Sequence, residues 1–227
     1  MAFGPKAPAD EQLGLERIVF FSDAVMAIAI TLLAIDIRVP DIDPSVAAQQ
    51  LGARLSVIGP HVMTFFISFI VIGVYWISHH RYFGYIRRYD TRLILLNFVF
   101  LFFIVCMPFL ASLLGQYVFV PIALIAYTIA IAALGLSMAV IWWYASHHHR
   151  LVDPELSPEL IGAINVRLFA APVMFLIAVP FAYVSSTAAI TVWWLSPIGV
   201  ALATRIWGRR RPARLAASED QPLKKES

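Results

Sequence analysis

The stretch Arg17-Ile18-Val19-Phe20-Phe21-Ser22-Asp23, continued by Ala24 through Pro40, decides how the rest of the chain is read. It sets an Arg, a Ser and an Asp at the mouth of an otherwise apolar segment. Charged groups at the edge of a bilayer-length helix are costly unless paired, which makes them functional candidates. On a helix advancing about 100° per residue, Ile28, Thr31, Leu32 and Ile35 share one stripe, and Asp23 points roughly 140° away from Ile28. One face is an aliphatic line broken by a single Thr, and the polar patch is turned elsewhere. The pattern predicts a helix that lines something on one side and is pinned to its neighbours on the other.

Working outward, 60% of the 227 residues are hydrophobic and 14% are charged, with a mean hydropathy of +0.78. A soluble domain has roughly 45–50% apolar and about 25% charged residues, so the chain is an all-α integral membrane protein. Apolar runs of bilayer length fall at about 17–38, 55–78, 93–114, 118–145, 161–184 and 188–207, which makes six transmembrane helices. These form one six-span domain over about 1–207, with a basic tail over about 208–227 expected to be disordered. Gly115-Gln116-Tyr117 and Ser185-Ser186-Thr187 interrupt runs too long for one crossing, so each is read as a tight reversal. Pro108, Pro121, Pro172 and Pro180 fall inside apolar runs, where membrane helices accept kinks. Before Arg17 there is no signal-peptide core. The single cysteine, Cys106, has no partner for an internal disulfide.

Charge orients the bundle. Arg81, Arg87, Arg88 and Arg92 lie between spans two and three. Arg150, Arg167 and three histidines lie between spans four and five, and Arg205, Arg209, Arg210, Arg211, Arg214, Lys224 and Lys225 end the chain. The two tight reversals carry no Lys or Arg. The positive-inside rule therefore puts both termini and the basic loops in the cytoplasm, with the loop from Asp36 to Arg54 outside. The pairs Tyr75-Trp76, Trp142-Trp143 and Trp193-Trp194 are expected at the membrane interfaces.

On that topology the end of span two, with Trp76, His79 and His80, and Asn97 in span three lie level with Asp23. Buried polar groups in a membrane need partners. Arg17, Ser22, Asp23, Trp76, His79, His80 and Asn97 are thus expected to form a structural clamp, with His79 or His80 donating to the Asp23 carboxylate.

The group Arg-x-x-x-Phe-Ser-Asp ending at Asp23, followed by Ala27-Ile-Ala-Ile-Thr-Leu-Leu33, resembles the signature of the transmembrane protein 175 family, the lysosomal potassium channels and their bacterial relatives. Trp76, His79-His80, Asn97 and Pro108-Phe109 are similar to that family as well. The resemblance implies a bacterial cell-membrane potassium channel assembled as a homotetramer, the first helix of each subunit lining the pore. It implies that Ile28, Leu32 and Ile35 form the apolar constriction and gate, Ile28 being the narrowest. Thr31, with Ile28, matches the positions linked to selectivity. The carbonyl loop of ordinary potassium channels is absent from this sequence. A dry aliphatic ring closes by dewetting and penalises the more strongly hydrated ion. Asp36, Asp41 and Asp43 would concentrate cations outside.

The expected partners are other copies of the chain, membrane lipid and monovalent cations, with no nucleic acid, cofactor or metal. His147-His148-His149 is read as an interfacial cap to span four, because successive helical residues point about 100° apart and cannot all face one ion. The competing reading is an ion- or proton-coupled transporter using Asp23, His79 and His80 as a relay. Transporters bind near mid-membrane, whereas these residues cluster at one edge. A third reading, an intramembrane hydrolase, lacks a nucleophile–base pair within a span.

Overall fold

Where the apolar runs meet Pro, Asp and Ser, the helices start. Asp90 has extended backbone and its side chain accepts from the Leu93 amide at 2.8 Å, capping a helix over Thr91–Gln116. Ser157 caps Pro158–Val184 in the same way, accepting from Leu160 N at 3.2 Å. The computed structural model describes the backbone of residues 9–35, 37–38 and 41–219 and the side chains of 11–35, 37–38 and 41–208. In order, its helices are α1 (Ala9–Ile35), α2 (Ala47–Val57), α3 (Gly59–Phe83), α4 (Thr91–Gln116), α5 (Pro121–Ser146), α6 (Pro158–Val184) and α7 (Ser186–Glu219). Six of them, all but α2, are long and apolar enough to cross a membrane. Among the described residues there is no strand, only an isolated bridge between Ile86 and Val152.

Several boundaries differ from the sequence reading for identifiable reasons. Helix α1 begins two turns before Arg17, because Leu13, Leu15 and Ile18 already continue its apolar period. Helix α2 is a surface element with no buried residue, so no apolar stripe announces it. An Asx turn precedes it, with Asp43 Oδ1 accepting from the Ser45 amide at 2.9 Å and hydroxyl at 2.7 Å. Those bonds, hydroxyl first, hold the Asp43 carboxyl below the usual carboxylate range. Asp36, expected beside it at the outer mouth, lies outside the described residues. Pro121 starts α5 instead of kinking it. Gly115 and Gln116 remain in α4, so the reversal falls over Tyr117–Val120. Gly115 instead marks a close approach, since a Cβ there would meet Thr64 Oγ1 at 2.9 Å and the His61 Cα at 3.1 Å. Helix α7 passes the expected end at Trp207 and its backbone stays helical to Glu219.

Packing runs in chain order. Helix α1 sits on α3 and α4, α3 on α4, α4 on α5, α5 on α6 and α6 on α7. Helix α5 is the central post, burying Tyr127, Ile131, Leu134, Met138 and Trp142. The aromatic pairs split rather than lining the interfaces together, because neighbours on a helix diverge by about 100°. Trp142 is fully buried against Tyr82 and Tyr85, with ring centroids at 5.6 and 6.0 Å, while Trp143 is exposed. Trp193 turns in to Tyr127 at 5.5 Å, and Trp194 turns out.

At one end of the bundle the α3–α4 and α5–α6 connections interlock. The Arg87 and Arg88 amides both donate to Leu151 O, at 2.8 and 3.2 Å. Arg87 reaches Asp153 at 3.6 Å, and Arg150 lies 4.7 Å over the Tyr144 ring. The Tyr144 hydroxyl donates to Asp90. His147–His149 form a 3-10 turn closing α5, with left-handed backbone at His148 and His149 (φ 52° and 51°). His149 Nε2 lies 3.0 Å from Leu156 O and holds that turn against the loop.

Candidate functional site

Helix α1 has two unlike faces, and the burial pattern follows its phase. Ser22, Met26, Ala29 and Leu33 are buried against α3 and α4. Ile28, Leu32 and Ile35 are 59%, 42% and 69% exposed on the opposite side. Thr31 is exposed among them, its hydroxyl donating to the Ile28 carbonyl at 2.8 Å. That bond uses the only hydroxyl proton and leaves the oxygen lone pairs open on the exposed side. The stripe expected from the 100° repeat therefore exists as one continuous face, exposed among the described residues.

The buried face carries a directional chain of hydrogen bonds. His79 Nε2 lies 3.0 Å from Asn97 Oδ1, and Asn97 Nδ2 donates to Ser22 Oγ at 2.8 Å. Ser22 Oγ in turn donates to the Ile18 carbonyl at 2.8 Å. With the amide so oriented, Asn97 Oδ1 must accept from His79 Nε2–H, leaving Nδ1 as the lone-pair nitrogen. Ser22, His79 and Asn97 are 0%, 0% and 3% exposed. The His79 ring is stacked on Phe83 and Phe100 at centroid distances of 4.0 and 5.5 Å. The first link joins α3 to α4, the second joins α4 to α1 and the third lies within α1, so the chain ties α1 to α3 and α4.

Asp23 makes a separate contact. Trp76 Nε1 donates to its Oδ1 at 2.9 Å. Neither histidine donates to Asp23, contrary to the sequence expectation: His79 is taken up by Asn97, and His80 stacks on Trp76 at 6.1 Å. Trp76 and His79, three residues apart, stand only about 60° from each other on α3, and it is Asn97, opposite His79, that takes the ring N–H in place of the carboxylate. Arg17 is likewise outside the clamp. It is exposed, and among the described residues it makes no hydrogen bond or ion pair with Asp23. Helical phase explains this, since Ser22 stands about 140° round the axis from Arg17. His147, His148 and His149 are far along the chain from this group, in the loop turn already described.

Sequence reasoning missed the interlock at Asp90, Tyr144 and Leu151, although an Asp before an apolar run is a readable cap signal. It also missed the role of Phe100, which was hidden in an unbroken apolar run. A small cavity beside α1 is lined by Leu33, Ile37, His61, Thr64 and Pro108, and the buried His61 Nδ1 has no hydrogen-bond partner among the described residues. A cleft of about 240 Å³ between α5 and α6 is lined only by apolar side chains, including Ile129, Leu136, Phe169 and Leu176. What the geometry supplies is a rigidly held helix with an unoccupied aliphatic face.

Comparison with known proteins agrees with this geometry. The family described as "Endosomal/lysosomal potassium channel TMEM175" matches residues 17–108, the segment that holds most of α1, all of α2 and α3 and most of α4. A Streptomyces collinus protein named as a potassium channel is 32% identical over 75% of this chain and 83% of its own length. A Chamaesiphon minutus protein, also named as a potassium channel, is 32% identical over 88% of this chain and 95% of its own. The crystal structure of a lysosomal potassium-selective channel TMEM175 homologue from Chamaesiphon minutus superposes with a TM-score of 0.72 at 28% identity, over 84% of this chain and 98% of that one. With the family match over 17–108, relatives 32% identical over most of their length and a shared fold, the chain belongs to the TMEM175 family.

Proposed function

We propose that the protein is a potassium-permeable channel of the bacterial inner membrane. In this reading four copies assemble about an axis, and the exposed face of α1 lines the pore. The observation that carries it is the division of α1 into a face pinned by Ser22, Asn97 and His79 and a face of Ile28, Thr31, Leu32 and Ile35 left exposed among the described residues. Exposed Ala24, Ala27 and Ala34 beside that stripe let copies of the helix approach closely. Both termini face the cytoplasm, as the basic connections and tail require. The names of the similar proteins support potassium as the ion.

The constriction works by solvation. Symmetry-related Ile28 side chains form a dry ring that strips water from a passing ion, and a small outward tilt of α1 wets it. Thr31 oxygens, one turn further out, return part of the lost coordination. The polar groups of the clamp hold α1 in phase so that the aliphatic stripe stays on the axis, and they carry no chemistry; the protein is no enzyme. The test is ion flux in liposomes holding purified protein. Potassium flux above sodium flux, raised by Ile28→Asn, supports the pore. Flux unaltered by Ile28→Asn counts against it, and uptake seen only under a proton gradient turns the assignment to a coupled transporter.

A further inference from the structure

Arg17 has so far no task. It is exposed, it is left out of the clamp, and it sits two turns inside α1 rather than at the helix start. An Arg facing lipid without a partner is costly, so its surroundings in the assembled protein must be water or an anion. Its phase shows which way it points. Counting about 100° per residue, Ala24 and Ile28 lie within about 20° of Arg17, and Ile35 returns to the same angle after five full turns. Arg17 therefore begins the very line that continues through Ile28 to Ile35. At about 1.5 Å per residue it lies roughly 16 Å inward of Ile28. Its depth is bracketed by Gly14, against which the Tyr89 ring of the α3–α4 connection packs, and by the Asp23–Trp76 contact. Phe20 and Phe21, 68% and 49% exposed, flank it.

We propose that Arg17 faces the pore axis at the inner mouth, where its symmetry copies form a cationic ring that lowers the local cation concentration. This rests on the pore reading above. A ring of guanidinium groups stays charged at any working pH, and a mouth lined by one sign of charge holds a potential of several kT. Its effect depends on screening: the Debye length is about 30 Å at 0.01 M salt and about 3 Å at 1 M. Arg17 thus limits conductance in dilute salt and is silent in concentrated salt.

The experiment is single-channel potassium conductance of the full chain and of Arg17→Gln and Arg17→Lys in planar bilayers, at roughly 0.01 M and about 1 M potassium chloride. Arg17→Gln is expected to raise conductance several-fold in dilute salt and to match the unaltered protein in concentrated salt, while Arg17→Lys follows the unaltered protein at both. An equal change at both concentrations, or none, overturns the proposal. Failure of Arg17→Gln to assemble also overturns it, and assigns Arg17 to a contact between subunits. Those results leave the pore standing, because the unaltered protein still conducts. Absence of potassium conductance in the unaltered protein removes the pore reading and this proposal together.

Discussion

Asn97 is the single side chain whose removal should be felt most. It accepts from His79 and donates to Ser22, so its amide joins α3 to α1 through α4. Asn97→Ala leaves a buried imidazole N–H without its acceptor and a buried serine with one bond fewer. That costs about 1–2 kcal/mol in a membrane interior, where the unfolded reference also finds partners. The expected outcome is a lower unfolding midpoint in detergent, with α1 less firmly held and passive flux altered as a consequence. An unchanged midpoint would sink the clamp. The residue types of the clamp could be read from the sequence, because Ser, Asp, His and Asn in apolar runs stand out. Their pairing could not. Three polar groups within reach of one another admit several hydrogen-bond schemes, and backbone placement selects one.

At the scale of elements, Asp90 shows how a cap can also be a joint. It starts α4 and accepts the Tyr144 hydroxyl from the end of α5, beside the interlocked connections. Burial pushes its carboxyl up, but the bonds from Tyr144, Leu93 N and Arg92 N and the charge of Arg150 together outweigh that and hold it below the usual range. A carboxyl depressed in the folded state contributes stability that is fully present above its unfolded value of about 3.9 and is lost as pH falls through the folded value. Asp90→Asn should therefore be less stable than the unaltered protein at neutral pH. The difference should close as the solution is acidified below the ordinary carboxylate range, as read by thermal unfolding in detergent at stepped pH. A constant difference at all pH would deny Asp90 this part. Helices α1 and α3 to α7 were legible because length and hydropathy mark a span. Helix α2 was not, since it buries nothing, and the α4–α5 reversal moved because a proline at a helix start looks the same in sequence as one inside a helix.

For the whole molecule, the described subunit is unfinished on one side. Helices α3 to α7 pack in succession, while α1 packs on α3 and α4 and leaves Phe20, Ile28 and Ile35 bare. If that face lines an axis, the purified protein has the mass of four chains in mild detergent, and cysteines placed at Ile28 in a Cys106→Ser background join subunits under oxidation. A mass of one chain, with no cross-linking at Ile28, would return that face to lipid.

By itself the sequence determined that the chain spans a membrane six times, that α1 has an aliphatic face and a polar one, and which polar residues lie in its first half. Each of these depends on local composition or on the 3.6-residue period, and a helix carries both in its own residues. Only the tertiary structure decided which groups meet. His79 with Asn97, Asn97 with Ser22 and Trp76 with Asp23 are pairs 18, 75 and 53 residues apart. The period fixes where a side chain points about its own axis. It does not fix what stands opposite, which depends on the rotation and depth at which separate helices pack. Arg17 is a different case: it was grouped with Asp23 by nearness in sequence, although the period alone sets it about 120° round the same helix.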